Sequence, residues 1–317
     1  MEKRLCVIGG SGFVGRAIVR RATRAGYRVT VACRHPEKAR HLTVEGVRLV
    51  RADIASGKGL DAALRGADAV INLVGVLYEK GRFTFDAVHV HGTEHVLDAC
   101  AQQGVPRYVH MSALGAGAVP ESAYARSKSE AEARVRAANL AWTVFRPSVI
   151  YGEHDSFFNR FKAIGAWFPV MPVIAPEMRL QPVWVEDVAR AFVRAIEDKR
   201  TFGQCFVLAG PKPYTMRALL ELLHRELGRR RLLLPLPSLA ARLLARLVQW
   251  LPVPPLTLDQ LALLRHDNVA SGEPFPALFG KPAPLEQVLP TYIHGSQREW
   301  IQRRLDAARR YYRKGGL

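Results

Sequence analysis

Tyr124-Ala125-Arg126-Ser127-Lys128 sets a phenol and an ammonium four residues apart at the start of a stretch, Ala123–Asn139, that reads as a helix. Residues at this spacing share one helix face. An ammonium held beside a phenol stabilises the phenolate and lowers its pKa, so the tyrosine can act as general acid or base. Taken alone, a Tyr-x-x-x-Lys pair is a common accident of sequence. What it can do depends on what the rest of the chain brings near it.

Near the start of the chain stands Gly9-Gly10-Ser11-Gly12-Phe13-Val14-Gly15. Two patterns overlap there, GxxGxxG through Gly9, Gly12 and Gly15, and GxGxxG from Gly10. Glycine serves three needs in such a turn: it allows the tight bend, it lets backbone approach a pyrophosphate, and it lets helix and strand pack closely. The free N–H groups and dipole of the helix that follows favour negative charge. A glycine-rich turn without a ligand is the plain alternative. The apolar run Leu5–Ile8 before the cluster and the helical pattern from Phe13 after it supply the strand–turn–helix context that a dinucleotide site requires. Gly9, Gly12, Phe13, Val14 and Gly15 are therefore expected to bind a dinucleotide cofactor, with Tyr124 and Lys128 near its nicotinamide ribose.

The end of the second strand discriminates NAD from NADP. An acidic residue there would accept from the ribose hydroxyls, but the sequence has Cys33-Arg34-His35-Pro36. Arg34, helped by Lys38 or Arg40, would pair with a 2′-phosphate, so NADP(H) is preferred over NAD(H). The competing reading is an arginine solvated on a loop. Asp53-Ile54 after the third strand fits a contact near the adenine, and Val74-Gly75 after the fourth would bring backbone to the adenosine half. Each could equally be a strand-end turn.

The elements that must position these residues alternate from Leu5 to Pro147. Strands are expected at Leu5–Ile8, Arg28–Cys33, Val47–Arg51, Ala69–Val74, Tyr108–Ser112 and Trp142–Arg146. Helices are expected at Phe13–Ala25, Pro36–Leu42, Leu60–Leu64, Asp86–Gln103 and Ala123–Asn139. Gly26, Gly66 and Gly104 stand just past three of these helices, where a left-handed residue closes a helix. Strands apolar throughout and separated by helices predict a parallel sheet covered on both faces. The expected fold is α/β, a Rossmann-type doubly wound parallel sheet with a smaller, mostly helical C-terminal lobe. The first domain is placed at 1–152 and completed by 185–209. A helix over Asp187–Asp198, N-capped by Glu186 or Asp187, and a strand at Cys205–Leu208 make that return. Residues 153–184 and 210–317 form the lobe over the site and a basic helical tail.

At 317 residues and 49% hydrophobic, the chain can bury a full core. Cys6, Cys33, Cys100 and Cys205 have no metal-type spacing, which suits core residues in a reducing compartment. Met1-Glu2-Lys3-Arg4 runs directly into a strand pattern, so no signal peptide is expected, and no run of 18 apolar residues predicts a membrane span. A cytoplasmic setting follows as an expectation. The net charge of +18 draws the protein toward anionic surfaces without identifying one.

The motifs together resemble the short-chain dehydrogenase/reductase superfamily, in its extended or atypical, epimerase/dehydratase-like form. The resemblance rests on GGSGFVG, Asp53-Ile54, His91-Gly92-Thr93, Val109-His110-Met111-Ser112, the Tyr124 to Lys128 stretch, Arg146-Pro147-Ser148-Val149-Ile150-Tyr151-Gly152 and Val185-Glu186-Asp187-Val188-Ala189. Asn72-Leu73-Val74-Gly75, HMSALGA at 110–116, Leu180-Gln181-Pro182-Val183 and PPLTLDQL at 254–261 look most like one atypical group. That group includes the nucleotide-binding accessory subunit of mitochondrial respiratory complex I and its bacterial relatives. The resemblance implies a catalytic set of Tyr124, Lys128 and a serine, with Ser112 available, and a cofactor contact at Pro147. It also implies partners among respiratory-complex proteins, and a dinucleotide held for structure or assembly. One departure weakens catalysis: active extended members carry Ser or Thr one or two positions past Ser112, where this chain has Ala113 and Leu114. His89 and His91, at positions often occupied by Asn, read as plain helix residues.

Two surfaces remain. SLAARLLARLVQWL at 238–251 puts Leu239, Leu243, Leu247 and Trp250 at helical spacing, interrupted by Arg242 and Arg246. It can lie on an anionic membrane surface at the inner face, or be an ordinary helix packing its apolar stripe on the core. The stretch Arg298–Lys314 mixes arginines with Trp300, Tyr311 and Tyr312, but no nucleic-acid recognition signature accompanies it, and nucleic acid is not an expected partner.

Overall fold

The computed structural model describes residues 2–251 and 254–294; the basic tail at 298–314 lies outside the described residues. Seven parallel strands form the central sheet: β1 (Arg4–Ile8), β2 (Arg28–Cys33), β3 (Arg48–Arg51), β4 (Ala69–Asn72), β5 (Arg107–Met111), β6 (Ala141–Pro147) and β11 (Gln204–Leu208). Their order is β11-β6-β5-β4-β1-β2-β3. Successive strand residues serve opposite faces: Leu5 and Val7 join the core under α1 (Phe13–Arg24) and α6 (Val185–Ala195). Cys6 and Ile8 join the core under α2 (Leu60–Leu64) and α3 (His91–Gln103). Helices on both faces explain why these strands are apolar at every position rather than at alternate ones.

From β1 the chain winds outward to β2 and β3, then returns to the other side of β1 for β4, β5 and β6. The crevice beyond the C-terminal ends of β1 and β4 is therefore the topological switch point, where such sheets bind ligands. The glycine turn leaves β1 there, and Leu73–Gly75 leaves β4 there. Gly26, Gly66 and Gly104 all have positive φ, as their places after helices require.

Two local expectations change. Trp184, in extended backbone, precedes α6 with no side-chain cap; Glu186 and Asp187 lie inside the first turn. There they meet the helix dipole and nearby arginines, Glu186 with Arg20 and Asp187 with Arg190 at 2.7 Å. The 86–103 stretch opens with a wide π turn, Asp86–Val90, before α3. Such turns swing side chains off the regular helical register.

The second lobe holds α5 (Phe158–Trp167), α7 (Met216–Glu226), α8 (Ser238–Val248), α9 (Leu258–Leu263) and α10 (Leu285–Tyr292). Short strand pairs knit it together: β7 (Ile150–Tyr151) with β10 (Val183–Trp184), β8 (Val170–Val173) with β13 (Leu232–Pro235), and β9 (Arg179–Leu180) with β12 (Tyr214–Thr215). Its core gathers Tyr151, Phe158, Met171, Leu219, Leu223 and Leu289. Cys6, Cys33 and Cys100 are buried and free, while Cys205 is free and exposed. Among the described residues no helix is long and apolar enough to cross a membrane.

Candidate dinucleotide site and its acid–base pair

Gly9 has φ +80°, and a Cβ there would stand 3.1 Å from Val74 Cγ2. A Cβ at Gly15 would lie 2.6 Å from Gly10 Cα. Glycine is needed at the first position by backbone conformation and at the second by contact between helix and turn. Gly12 precedes α1 in extended backbone, with no side-chain cap and no acidic residue in the first turn. The N–H groups at this end are thus not answered by a side chain of the helix, as an anion site requires. Phe13 is half-buried beside Gly152, and Val14 is buried in the core. Val14 can therefore meet a phosphate only through its backbone.

On the β2 side, Arg34 is exposed with its guanidinium 4.4 Å above the Phe83 ring. Arg82 stacks on the same ring at 5.0 Å and pairs with Asp53 Oδ2 at 2.6 Å. Asp53 Oδ1 also accepts from the Ala55 N–H. The Ile54 side chain turns inward, against the position a Cβ would take at Gly92, and its carbonyl is 2.9 Å from His95 Nδ1. Ile54 therefore offers a ligand backbone rather than side chain. Arg82 and Phe83 were not among the residues singled out by the sequence, since nothing in their local pattern marks them.

Across the crevice, Val74 N–H donates to Asn72 Oδ1, and Asn72 Nδ2 donates to Tyr108 Oη at 3.0 Å. Gly75 faces α4 (Ala123–Ala137): a Cβ on it would be 3.1 Å from Lys128 Nζ and 3.4 Å from His89 Nε2. Lys128 is buried, and its ammonium donates to the Met111 carbonyl at 3.2 Å. Burial pulls the lysine down to about 8, although Glu132 acts in the other direction.

Tyr124 sits edge-on to Phe85 and His89, with ring centroids 5.8 and 5.5 Å away. Its phenol pKa is set here by the surrounding protein alone. Burial and the Asp259 carboxylate push it up to about 12. Lys128 is on the same helix, but its hydrogen bond goes to the strand-end carbonyl of Met111. In this state the phenol is neutral and the ammonium of Lys128 is destabilised by burial.

His89, which sequence reasoning set aside, lies in the site. Val76 N–H donates to His89 Nε2 at 3.0 Å, so the neutral ring carries its proton on Nδ1 and donates to Ser127 Oγ at 2.8 Å. Ser127 in turn donates to the Tyr124 carbonyl. Burial and the Lys128 charge hold His89 far below the usual imidazole range. It is a neutral tie between the loop after β4 and the Tyr124 helix. His91, by contrast, is exposed and pairs with Asp86 and Glu94.

The second lobe fixes the start of α4. Ser122 caps it by accepting from the Ala125 N–H. Asp259 of α9 then accepts from Ser122 Oγ at 2.9 Å and from the Ala123 N–H at 2.6 Å. Thr257 and Gln260 close a capping box on α9, and Gln260 Nε2 reaches the Leu77 carbonyl.

Ser112 is buried at the end of β5, and its Oγ has no hydrogen-bond partner among the described residues. Ala113 and Leu114 beyond it supply no hydroxyl; Leu114 N–H donates to the carbonyl of Pro147, which is buried at the end of β6. The glycine cradle, the uncapped helix end and the orphaned Ser112 hydroxyl fit a dinucleotide lying across the switch point. Among the described residues no group of His, Cys, Asp and Glu could hold a metal ion.

A doubly wound sheet with this glycine turn at its switch point defines a dinucleotide-binding protein. Residues 9–199 match the family described as NAD(P)H-binding, and the chain belongs to it. It is 28% identical over 274 residues to the mitochondrial NADH-ubiquinone oxidoreductase 40 kDa subunit of Neurospora crassa, covering 84% of this chain and 72% of that one. It is 31% identical over 282 residues to the mitochondrial NADH dehydrogenase [ubiquinone] 1 alpha subcomplex subunit 9 of Arabidopsis thaliana, covering 84% and 70%. Among solved structures, the NADPH-dependent quinone oxidoreductase QOR2 of Escherichia coli, complexed with NADPH, superposes with a TM-score of 0.70 at 18% identity over 89% of this chain and 97% of the other. That likeness is one of fold.

Proposed function

We propose that this protein holds NADPH as a lasting structural part and serves as an accessory or assembly factor of respiratory, quinone-linked machinery. The observation that carries this reading is the geometry around the acid–base pair. Lys128 Nζ donates to the Met111 carbonyl at 3.2 Å, and the positions after Ser112 are Ala113 and Leu114, which have no hydroxyl to meet a substrate oxygen. A set that lacks this hydroxyl is poorly matched to turnover, whereas the glycine cradle leaves the N–H groups at the start of α1 without a side-chain cap, open to phosphates. The curated relatives named as respiratory subunits support the choice of partner. NADPH is favoured because the exposed Arg34 stands just past β2, where an acidic residue would serve NADH. A cytoplasmic setting accords with the four free cysteines.

A second reading, an active NADPH-dependent reductase or epimerase/dehydratase, draws on the buried Lys128 on the face of α4 that carries Tyr124. Tyr124→Phe separates the two. Under the accessory reading, wild type and variant bind NADPH within about twofold of each other, and neither oxidises it above background with quinones or ketones. If wild type turns over and the variant loses about 10²-fold or more of the rate, the protein is an enzyme.

A further inference from the structure

Helix α8 is turned the opposite way from an ordinary amphipathic helix. Its small residues Ala241 and Ala245 pack against Leu261 of α9, with Ile174 and Leu256 at the edge. Its large ones point to solvent: Leu239 is 69% exposed, Leu247 77% and Trp250, just past the helix, 83%. The expectation that the leucine stripe might serve the core is thereby reversed. Strand β13 leads directly into α8, and its Leu232 and Leu234 are also exposed. Its partner β8 follows Trp167, which is 84% exposed, and Phe168. Exposed apolar side chains on this scale are rare on a surface that meets only water.

The segments that carry these side chains have charges of one sign. Between Glu226 and Asp259 the sequence has no acidic residue, and none stands between Asp155 and Glu177. Within these limits lie Arg160, Lys162, the run Arg229-Arg230-Arg231, and Arg242 and Arg246, the last two exposed on α8 among its leucines. Segments that join exposed leucines and tryptophans with arginines and carry no carboxylate of their own match one chemistry, an anionic lipid bilayer. Apolar side chains enter the boundary of the acyl region, tryptophans sit at headgroup level, and guanidinium groups meet the phosphates. An acidic protein surface would satisfy the arginines but leave so many leucines no partner of their own kind.

We propose that the α8 face, with the β8–β13 edge beside it, seats this protein on the surface of an anionic membrane without crossing it. This assignment does not depend on the dinucleotide reading. The test is flotation of the full chain with vesicles of phosphatidylcholine alone and of phosphatidylcholine mixed with phosphatidylglycerol. Wild type is expected to rise with the mixed vesicles, and brominated acyl chains are expected to quench its tryptophan fluorescence. Leu243→Glu combined with Leu247→Glu should lower the partitioning by about tenfold or more while the circular dichroism and melting temperature stay the same, because both side chains face solvent. Arg242→Gln with Arg246→Gln should erase most of the preference for the anionic lipid. The proposal is overturned if wild type ignores both kinds of vesicle. It is equally overturned if the glutamate variant floats as well as wild type, or if the only effect of that variant is to break a dimer.

Discussion

At the scale of single residues, the site turns on what burial does to Tyr124 and Lys128. The spacing of the pair was legible in the sequence; its protonation was not, because that depends on Asp259, 135 positions away, and on a carbonyl at the end of β5. Lys128 provides a direct check. Its folded pKa of about 8 lies below the ordinary 10.5, so the folded state disfavours the charged form. At pH 7 the lysine is charged in both folded and unfolded chains, and the folded state bears the penalty. Between pH 8 and 10.5 the native lysine releases its proton while the unfolded one keeps it, and stability rises with pH. Lys128→Met should therefore stabilise the apo protein on the order of 2 kcal/mol at pH 7, with the gain fading as pH climbs through that window. Thermal or urea unfolding across pH reads this, and a gain that grows toward pH 10 would refute the assignment. His89 shows the limit of reading residues by local pattern. In sequence it is an unremarkable helix histidine, and only the π turn at 86–90 swings it to Val76 and Ser127.

At the scale of elements, hydrophobic pattern located the strands of the central sheet to within a residue or two, while the short strand pairs of the second lobe left no such pattern. The largest shortfall was the fourth, where Ala69–Val74 was expected and pairing stops at Asn72. There the Asn72 side chain takes the Val74 N–H and replaces the next ladder bond with a local turn. The start of α4 depends on an element far away in sequence. Asp259 accepts from both Ser122 and Ala123 at that helix end, so a carboxylate of the second lobe anchors the helix that carries Tyr124. Asp259→Ala should cost roughly 1–3 kcal/mol, visible as a melting temperature lower by several degrees. It should also bring the Tyr124 phenol down from its raised value, because a neighbouring negative charge is removed. An unchanged melting temperature would mean that α4 is held by its packing alone. The PPLTLDQL stretch was noticed for its resemblance, but its bridging role needed the three-dimensional contacts of Gln260 with Leu77 and of Asp259 with Ser122.

At the scale of the whole molecule, one architecture separates two tasks. The doubly wound sheet places the glycine turn and the Tyr124 helix on either side of its switch point, as the alternation of elements and the family resemblance implied. The second lobe anchors the start of α4 through Asp259 of α9 and presents α8 outward. The first task was legible because glycine spacing and strand periodicity are local signals. The outward stripe of α8 was not, because a leucine stripe looks the same in sequence whether it is buried or exposed; the packing of Ala241 and Ala245 shows that it does not serve the core. The central claim is that the dinucleotide is kept rather than turned over, and the release of NADPH tests it most directly. NADPH bound to gently purified protein would be chased with unlabelled competitor and followed by nicotinamide fluorescence. The account predicts retention for many minutes. Release within about a second, fast enough for an ordinary catalytic cycle, would contradict it and return Tyr124 and Lys128 to the role of an active pair.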